Sequence, residues 1–189
     1  MRKPQLLGVS GSLRRDSFST AILRTLQETL APNVALTLHP LNDVPLYNQD
    51  EDTATPPEAV RALRAAVAEA DGLVIVSPEF NYGMPGVLKN ALDWASRPYG
   101  AAALIGKPVL TVTASPAFTG GVRAQAQLNE TLMATQSRLV LRPQTVIGAV
   151  HEKIEGGRLV DPASLQFALQ AVNDLLREAG FADGFRAAA

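Results

Sequence analysis

Apolar residues recur along this chain in two alternating patterns. Short runs that are apolar or alternate apolar and polar are typical of strands, and longer segments with apolar residues three and four apart are typical of helices. The run GLVIVS (72–77) is continuously apolar, which favours a strand covered on both faces, whereas VALTLHPL (34–41) alternates in the manner of an edge-side strand. The predicted strands are 5–10, 34–41, 72–77, 108–115 and 138–143, and the predicted helices are about 18–30, 57–70, 86–96, 121–136 and 163–179.

This alternation predicts an α/β fold, a doubly wound parallel sheet of five strands in the order 2-1-3-4-5 with helices on both faces. A length of 189 residues without an internal repeat or linker predicts a single domain over 1–189. Gly180 is expected to end the last helix, and the tail from about 182 to 189 is expected to be frayed.

The absence of cysteine and the small number of histidines limit which catalytic and metal-binding side chains this protein can use. There is no cysteine, which excludes disulfides, thiolate nucleophiles and Cys-ligated metals, and the two histidines, His39 and His151, are far apart in sequence. Both are interpreted as solvated imidazoles, so neither a metal site nor a catalytic side chain is expected. If the protein is an enzyme, its chemistry is predicted to come from a bound organic cofactor.

The net charge and the lengths of the apolar runs argue against a nucleic-acid-binding, membrane-associated or secreted protein. The net charge of −1 offers no basic field to nucleic acid or acidic lipid. The apolar runs are strand-sized, and the N-terminal run is interpreted as a first strand and not a signal peptide. We therefore expect a cytoplasmic protein whose partners are neither nucleic acids nor membranes.

Three unusual loops follow the first, third and fourth predicted strands. With the order 2-1-3-4-5 these strands are neighbours, and ligands of such sheets bind beyond the carboxyl ends where strand order reverses. The loops SGSLRRDSFS (10–19), PEFNYGMP (78–85) and ASPAFTGGVRAQ (114–125) are therefore expected to converge on one cleft.

The first loop has the composition of a phosphate site. A helix N-terminus offers unpaired N–H groups, to which Ser12, Ser17 and Ser19 add hydroxyls and Arg14 a charged fork. The alternative is an N-cap serine beside exposed arginines. Neither a Gly-x-Gly-x-x-Gly nor a Walker A motif is present, so the loop favours a monophosphate ligand.

The second loop has the composition of a site for a flat heteroaromatic ring. Glu79, Phe80 and Asn81 are placed to give the ring edge its backbone partners, and Tyr82 and Met84 to cover its outer face. The alternative is that Phe80 and Tyr82 are core anchors of a rigid turn.

The third loop also follows a strand end, and it contains a Ser-Pro turn and two adjacent glycines before a predicted helix. Gly120 and Gly121 permit either a close backbone approach to a ligand or a sharp turn.

Together, GSLRRDSFS, PEFNYGMPGVLKNALDWASR and GGVRAQ resemble the NADPH-dependent FMN reductases of the flavodoxin-like fold, a group that includes bacterial quinone, azo-dye and chromate reductases. The resemblance implies FMN and NADPH (or NADH) as cofactors. It also implies a ping-pong transfer of electrons to quinones or similar acceptors such as azo dyes, chromate, ferric complexes or flavin.

The resemblance carries over to individual positions. The implied FMN-binding residues are Ser12, Arg14, Ser17, Phe18, Ser19, Pro78, Glu79, Phe80, Asn81, Tyr82 and Ser115. Possible substrate or interface residues are Tyr82, Met84, Gly120, Gly121 and Arg123. Helix packing and dimer contacts are implied for Leu88, Lys89, Asn90 and Trp94. A homodimer or homotetramer is expected, with the flavin at the dimer interface.

The alternative function is a flavodoxin that carries single electrons between protein partners. Such carriers present a strongly acidic surface, for which a net charge of −1 gives no support.

Overall fold

A parallel sheet flanked by helices forms the frame of the protein. The structure is a computed structural model that describes residues 2–181, so the prediction for the tail 182–189 lies outside the described residues. The strands are β1 (Gln5–Ser10), β2 (Ala35–His39), β3 (Gly72–Ser77), β4 (Pro108–Ala114), β5 (Arg138–Leu139), β6 (Thr145–Ile147), β7 (Ile154–Glu155) and β8 (Arg158–Leu159). The helices are α1 (Phe18–Leu30), α2 (Glu58–Glu69), α3 (Gly86–Ala95), α4 (Val122–Ala134) and α5 (Pro162–Glu178).

The strand order is β2-β1-β3-β4-β5, and every pair in this sheet is parallel. The predicted fold class and order are therefore confirmed. β2 lies at one edge, and β3, buried at all six positions, lies in the middle.

The alternation of side chains along each strand divides the core into two layers. Leu6, Val74 and Val76 face α1 and α5, whereas Leu7 and Ile75 face the opposite layer of α2, α3 and α4. Because successive residues of a strand point to opposite faces, the continuous apolar runs supply both layers at once. The prediction of helices on both faces is confirmed.

The fifth strand differs from the prediction. Instead of one strand over 138–143, two short strands occupy this edge: β5 pairs with the start of β4, and β6 pairs with its end. Between them the chain leaves the sheet, because Pro143 cannot donate to a ladder; Leu141 is fully exposed there. The buried side chain of Gln125 bridges the gap, donating to the carbonyls of Thr111 (2.9 Å) and Thr145 (3.2 Å).

A further element absent from the predictions is the two-residue hairpin β7–β8, which packs on α1 through a hydrogen bond from the Leu159 N–H to Thr25 Oγ1 (2.9 Å). The last helix ends as expected. Gly180 has a φ of 90°, and the Phe181 N–H bonds back to the Leu176 carbonyl.

The long connection from β2 to α2 is fastened to α3. The Pro45 carbonyl accepts from both Asn90 Nδ2 and Trp94 Nε1 at 2.8 Å, and Asn90 Oδ1 accepts from the Tyr47 N–H at 2.7 Å. Leu88 and Trp94 are fully buried within the chain. The expected helix packing is therefore observed, and the side chains of Leu88 and Trp94 offer no surface for a dimer contact.

The amino ends of the strands are closed by charge pairing. The Asp71 carboxylate accepts from the Gln5 N–H (2.9 Å) and pairs with the Arg2 guanidinium, which lowers the pKa of Asp71. Lys107 covers the start of β4 and donates to the Ala68 carbonyl, and burial lowers the pKa of its ammonium. The three loops expected to converge on a cleft lie at the opposite, carboxyl ends of the strands.

Candidate functional site

A cavity of about 310 Å³ opens at the carboxyl ends of β1, β3 and β4. Its lining residues come from the three loops expected to converge: Ser12, Arg14, Ser17, Phe18, Ser19, Pro78, Glu79, Phe80, Ala114, Ser115 and Pro116. Nine of the eleven predicted FMN-binding residues line it. The remaining two, Asn81 and Tyr82, lie in the adjoining turn.

The first loop lies close against β3 because Gly11 has no side chain. Its N–H donates to the Val76 carbonyl (2.8 Å), and a Cβ added at Gly11 would lie 2.7 Å from Ser77 Oγ. Any larger residue would push the loop away from the sheet. The Ser12 hydroxyl in turn accepts from the Arg14 N–H (3.3 Å), which folds the loop around the cavity.

The N-terminus of α1 faces the same cavity. Ser17 is the N-cap, and its hydroxyl accepts from the Thr20 N–H (3.2 Å). The N–H groups of Phe18 and Ser19, at the first two helical positions, have no acceptor within the helix. Arg14 lies over the Phe18 ring, 4.9 Å from its centre. The capping alternative is therefore correct for Ser17, while the helix end still offers donors and a positive dipole end to an anion.

Residues 80–83 form a tight turn at the rim. Phe80 and Gly83 exchange backbone hydrogen bonds of 2.9 and 3.0 Å, and Asn81 and Tyr82 have φ values of 50° and 66°. Positive φ at both central residues is the pattern of a type I′ turn, in which glycine usually follows asparagine. Tyrosine at such a φ is a strained choice.

This turn presents its aromatic side chains outward. Phe80 is 58% exposed and Tyr82 is 70% exposed, so neither is a core anchor. The Arg123 guanidinium stacks on Tyr82 at 4.1 Å from the ring centre. The rim therefore carries two exposed aromatic side chains, Phe80 and Tyr82, and a guanidinium stacks on the second.

Glu79 contributes structure to the cavity wall. One of its carboxylate oxygens accepts from the N–H groups of Arg123 and Ala124, both at 3.0 Å, and so caps α4. Among the lining residues Glu79 is the only acid, and its charge is directed at a helix N-terminus. The cavity is thus electrostatically suited to an anionic ligand.

Three of the possible substrate or interface residues lie away from the cavity surface. Met84 is buried in the core, its N–H bonded to Gln127 Oε1 (2.7 Å), so it does not cover an outer face. Gly120 and Gly121 have φ values of 64° and 86°, and an added Cβ would meet Val146 and Thr113 respectively. Their close approach is to the chain itself, which favours the turn alternative.

Sequence reasoning missed Ala114 and Pro116, which line the cavity beside Ser115. The Ser-Pro dipeptide was the available signal, because such a pair begins a turn directly at a strand end.

The histidines lie outside the cavity. His39 ends β2 and is half-buried, and this burial lowers the pKa of its imidazole, in contrast to the expected solvated side chain. His151 is exposed in a short 3₁₀ turn, with Nε2 3.5 Å from Glu152 Oε1.

Comparison with known proteins identifies the family of this chain. The family described as NADPH-dependent FMN reductase matches residues 4–152. An NAD(P)H-dependent FMN reductase from Pseudomonas aeruginosa is 36% identical, covering 90% of this chain and 92% of the relative. A quinone reductase from Pseudomonas putida is also 36% identical, with 81% and 83% covered. The solved structure of FerB, a flavoenzyme NAD(P)H:(acceptor) oxidoreductase from Paracoccus denitrificans, is similar with a TM-score of 0.80, 30% identity and 96% of each chain covered.

The chain belongs to the NADPH-dependent FMN reductase family. The resemblance, the flavodoxin-like fold and the assignment to the oxidoreductases are therefore confirmed, and the electron-carrier alternative is not favoured. Within residues 2–181, none of the helices has both the length and the apolar character that crossing a membrane would require.

Proposed function

We propose that this protein is an FMN-dependent NAD(P)H oxidoreductase that reduces quinones or similar small acceptors, among them azo dyes, chromate, ferric complexes and free flavin. One observation supports this most directly. The cavity at the carboxyl ends of β1, β3 and β4 joins a helix N-terminus to an open aromatic rim, in a chain that belongs to a flavin reductase family.

The phosphate of FMN is proposed to lie at the N-terminus of α1. The hydroxyls of Ser12 and Ser17 and the N–H groups of Phe18 and Ser19 would donate to it, and Arg14 would add a charged fork. These donors fit a phosphate. The only carboxylate that lines the cavity, on Glu79, accepts hydrogen bonds from the N-terminus of α4 and therefore does not repel an anion at the N-terminus of α1.

The ring system is proposed to lie along the second and third loops. Phe80 gives an apolar wall, and the backbone of Glu79 and Asn81 gives polar partners for the ring edge, with Pro78 and Ser115 completing the lining. Bound FMN would supply hydride-accepting and electron-donating chemistry, which the side chains of this cavity lack.

The open side of the rim supports a ping-pong order. Tyr82 and Arg123 lie at the exposed rim, and NAD(P)H and the electron acceptor are proposed to bind there in turn. Parallel double-reciprocal plots for NADPH and a quinone are expected, whereas intersecting lines would contradict alternate occupation.

An absorbance spectrum tests the proposal as a whole. Purified protein is expected to show flavin bands, or to acquire them with added FMN, and to lose them when NADPH is added without oxygen. Subsequent addition of a quinone is expected to restore the bands. A protein that takes up no FMN, or whose FMN does not respond to NADPH or NADH, would overturn the proposal.

The phosphate assignment is tested by Arg14→Ala. Loss of a charge-assisted contact is expected to weaken FMN binding about tenfold, measured by quenching of FMN fluorescence. Arg61→Ala is the matched control, because Arg61 is an exposed residue of α2, away from the cavity. Equal FMN affinity in both variants would refute the role of Arg14.

We also propose a cytoplasmic homodimer or homotetramer with the flavin at the dimer interface. The support is the exposure of Phe80, Tyr82 and Phe118, the last 91% exposed, at the carboxyl end of the sheet. Sedimentation of the FMN-loaded protein is expected to give at least twice the chain mass of 20.0 kDa. A monomer at micromolar concentration would contradict this part.

A further inference from the structure

An arginine and a tyrosine contact each other at the rim, and both are unusual choices for their positions. The guanidinium carbon of Arg123 lies 4.1 Å from the centre of the Tyr82 ring, and both side chains are exposed. Among the described residues this is the shortest distance between a guanidinium and an aromatic ring centre. The pair is therefore closely stacked although water reaches both side chains.

Arg123 is poorly placed for the stability of α4. It is the second residue of that helix, whose first turn contains no acidic residue. A cation is unfavourable there, because the positive end of the helix dipole lies at the N-terminus. The backbone N–H groups of Arg123 and Ala124 are already capped by the Glu79 carboxylate. The helix itself therefore gives no reason for an arginine at this position.

Tyr82 is also poorly placed for the stability of its own turn. Its φ of 66° is in the left-handed region, which a tyrosine adopts only at a steric cost. Because the ring is 70% exposed, its burial does not offset that cost. Backbone conformations of this kind are concentrated at ligand sites. The pair is therefore better explained by what it presents at the rim than by the stability of either element.

The guanidinium of Arg123 has no acidic partner. Within residues 2–181 it forms no ion pair, whereas Arg142, for example, pairs with Asp174 at 2.6 Å. Stacking uses the face of a guanidinium and leaves the N–H donors in its plane free. These donors form strong hydrogen bonds with anionic oxygens. Arg123 is thus a fixed cation that is available to an incoming ligand.

This cation lies beside the cavity in which the ring of FMN is proposed to bind. Phe80 lines that cavity and exchanges backbone hydrogen bonds with Gly83 across the turn that contains Tyr82. Glu79, which also lines it, holds the backbone of Arg123 by a hydrogen bond of 3.0 Å. Two separate connections therefore fix the position of Arg123 relative to the cavity.

We propose that Arg123 selects electron acceptors that carry an anionic group, such as a sulfonate or carboxylate, on the ring system that is reduced. The Tyr82 ring supports the guanidinium, and the guanidinium binds the anionic group. The inference rests on the proposed function and deepens it, because it names a charged class among the small acceptors proposed above.

The first test is equilibrium binding, because it needs no turnover. FMN-loaded protein is titrated calorimetrically with naphthalenesulfonate and with naphthalenesulfonamide, a neutral probe of similar shape. FMN content and bleaching by NADPH are read beforehand from the absorbance spectrum, so failure of the proposed function is seen before any titration. The variants are Arg123→Gln and Arg123→Lys. The matched control is Arg61→Gln, at an exposed arginine of α2.

We expect the native protein to bind the sulfonate about threefold more tightly than the sulfonamide, as for an exposed ion pair. Arg123→Gln is expected to remove this difference and Arg123→Lys, which keeps the charge, to retain part of it. Arg61→Gln is expected to retain all of it. Added sodium chloride is expected to reduce the difference in the native protein, because salt screens exposed charges.

A kinetic measurement tests whether the preference extends to turnover. The value of kcat/KM is compared for a naphthoquinone sulfonate and for the same naphthoquinone without the sulfonate. The ratio of the two values is expected to fall about threefold in Arg123→Gln. Because both quinones are measured with each variant, the difference between their reduction potentials cancels from the change in this ratio.

Three outcomes would overturn the inference. The first is a native protein that binds both probes equally, or a preference for the sulfonate that Arg123→Gln retains. The second is a higher KM for NADPH in Arg123→Gln with an unchanged ratio for the two quinones, which would assign Arg123 to the reductant. The third is loss of FMN or of oligomeric mass in Arg123→Gln, which would make Arg123 a flavin or subunit contact.

Discussion

The stretch 78–97 divides into two regions that the structure uses in opposite ways. In the turn region, 78–85, the backbone is strained at Asn81 and Tyr82, and the side chains of Phe80 and Tyr82 are more than half exposed. Few interactions within the chain require these two aromatic residues. This agrees with the proposal that they contact a ligand on the open side of the rim.

In the helix region, 86–97, the corresponding large residues face inward. Leu88 and Trp94 are fully buried, and Asn90 and Trp94 both hold the Pro45 carbonyl. The Arg64 side chain also donates to the Trp94 carbonyl (2.9 Å). The comparison teaches that one continuous motif can combine exposed residues, for which we propose a ligand contact, with buried residues that stabilise the fold.

The largest effect is expected from Trp94→Ala in the helix region. Removing a fully buried indole is expected to lower the free energy of unfolding by about 3–5 kcal/mol, because a cavity remains and the Pro45 carbonyl loses a donor. Urea denaturation measures this. Trp94→Phe, which keeps most of the ring volume, is the control and is expected to cost less; equal losses would mean that packing contributes little.

A smaller loss of stability is expected from Glu79→Ala. This variant tests the distinction between the turn region and the helix region, because Glu79 belongs to the turn region but caps α4. The expected loss is about 1–2 kcal/mol, as for other helix caps. Glu79→Gln keeps an oxygen acceptor and is expected to recover part of this loss in the same denaturation experiment. If Glu79→Ala is as stable as the native protein, the turn region has no structural role.

Removing the backbone strain at Tyr82 is expected to increase the stability of the protein. In an Arg123→Gln background, which removes the stacked cation, Tyr82→Gly is expected to raise the free energy of unfolding by about 1 kcal/mol, because glycine adopts a φ of 66° without steric cost. Phe80→Gly, at a position without positive φ, is the control and is expected to destabilise. A loss in both variants would show that the turn is unstrained.

The smallest change in stability is expected for Phe80→Ala, within about 0.5 kcal/mol, as for other exposed positions. FMN binding is nevertheless expected to weaken by about three- to tenfold, because a wall of the proposed ring site is removed. Fluorescence titration with FMN measures this. Unchanged FMN affinity together with a large loss of stability would reverse the comparison between the two regions.

Much of the fold was predictable because the spacing of apolar residues along the sequence indicates which face of each strand or helix is buried. The bounds of β1, β3 and α1 agree with the prediction, since apolar runs and helical spacing both end at capping or turn residues there. The edge beyond β4 was not predictable from the run RLVLRP. Whether an apolar run pairs along its whole length depends on its neighbours, and here the bridging amide of Gln125 lies 13 residues before Arg138 in the sequence.

The candidate site was predictable in its location, because polar and aromatic loops at neighbouring strand ends must meet. The direction of single side chains was not. Met84 and Tyr82 are separated by one residue, yet the turn sends one into the core and the other to solvent. The capping role of Glu79 likewise depends on how β3 and α4 lie together in three dimensions.

The interrupted edge formed by β5 and β6 is poorly suited to strand addition by another chain. A long regular edge strand offers unpaired N–H and C=O groups to any other chain, and natural sheets shorten or disrupt such edges. Here the edge consists of strands of two and three residues separated by a segment that contains Pro143. A second copy therefore cannot extend the sheet along a continuous ladder on this side, and copies that associate here have to do so through side chains.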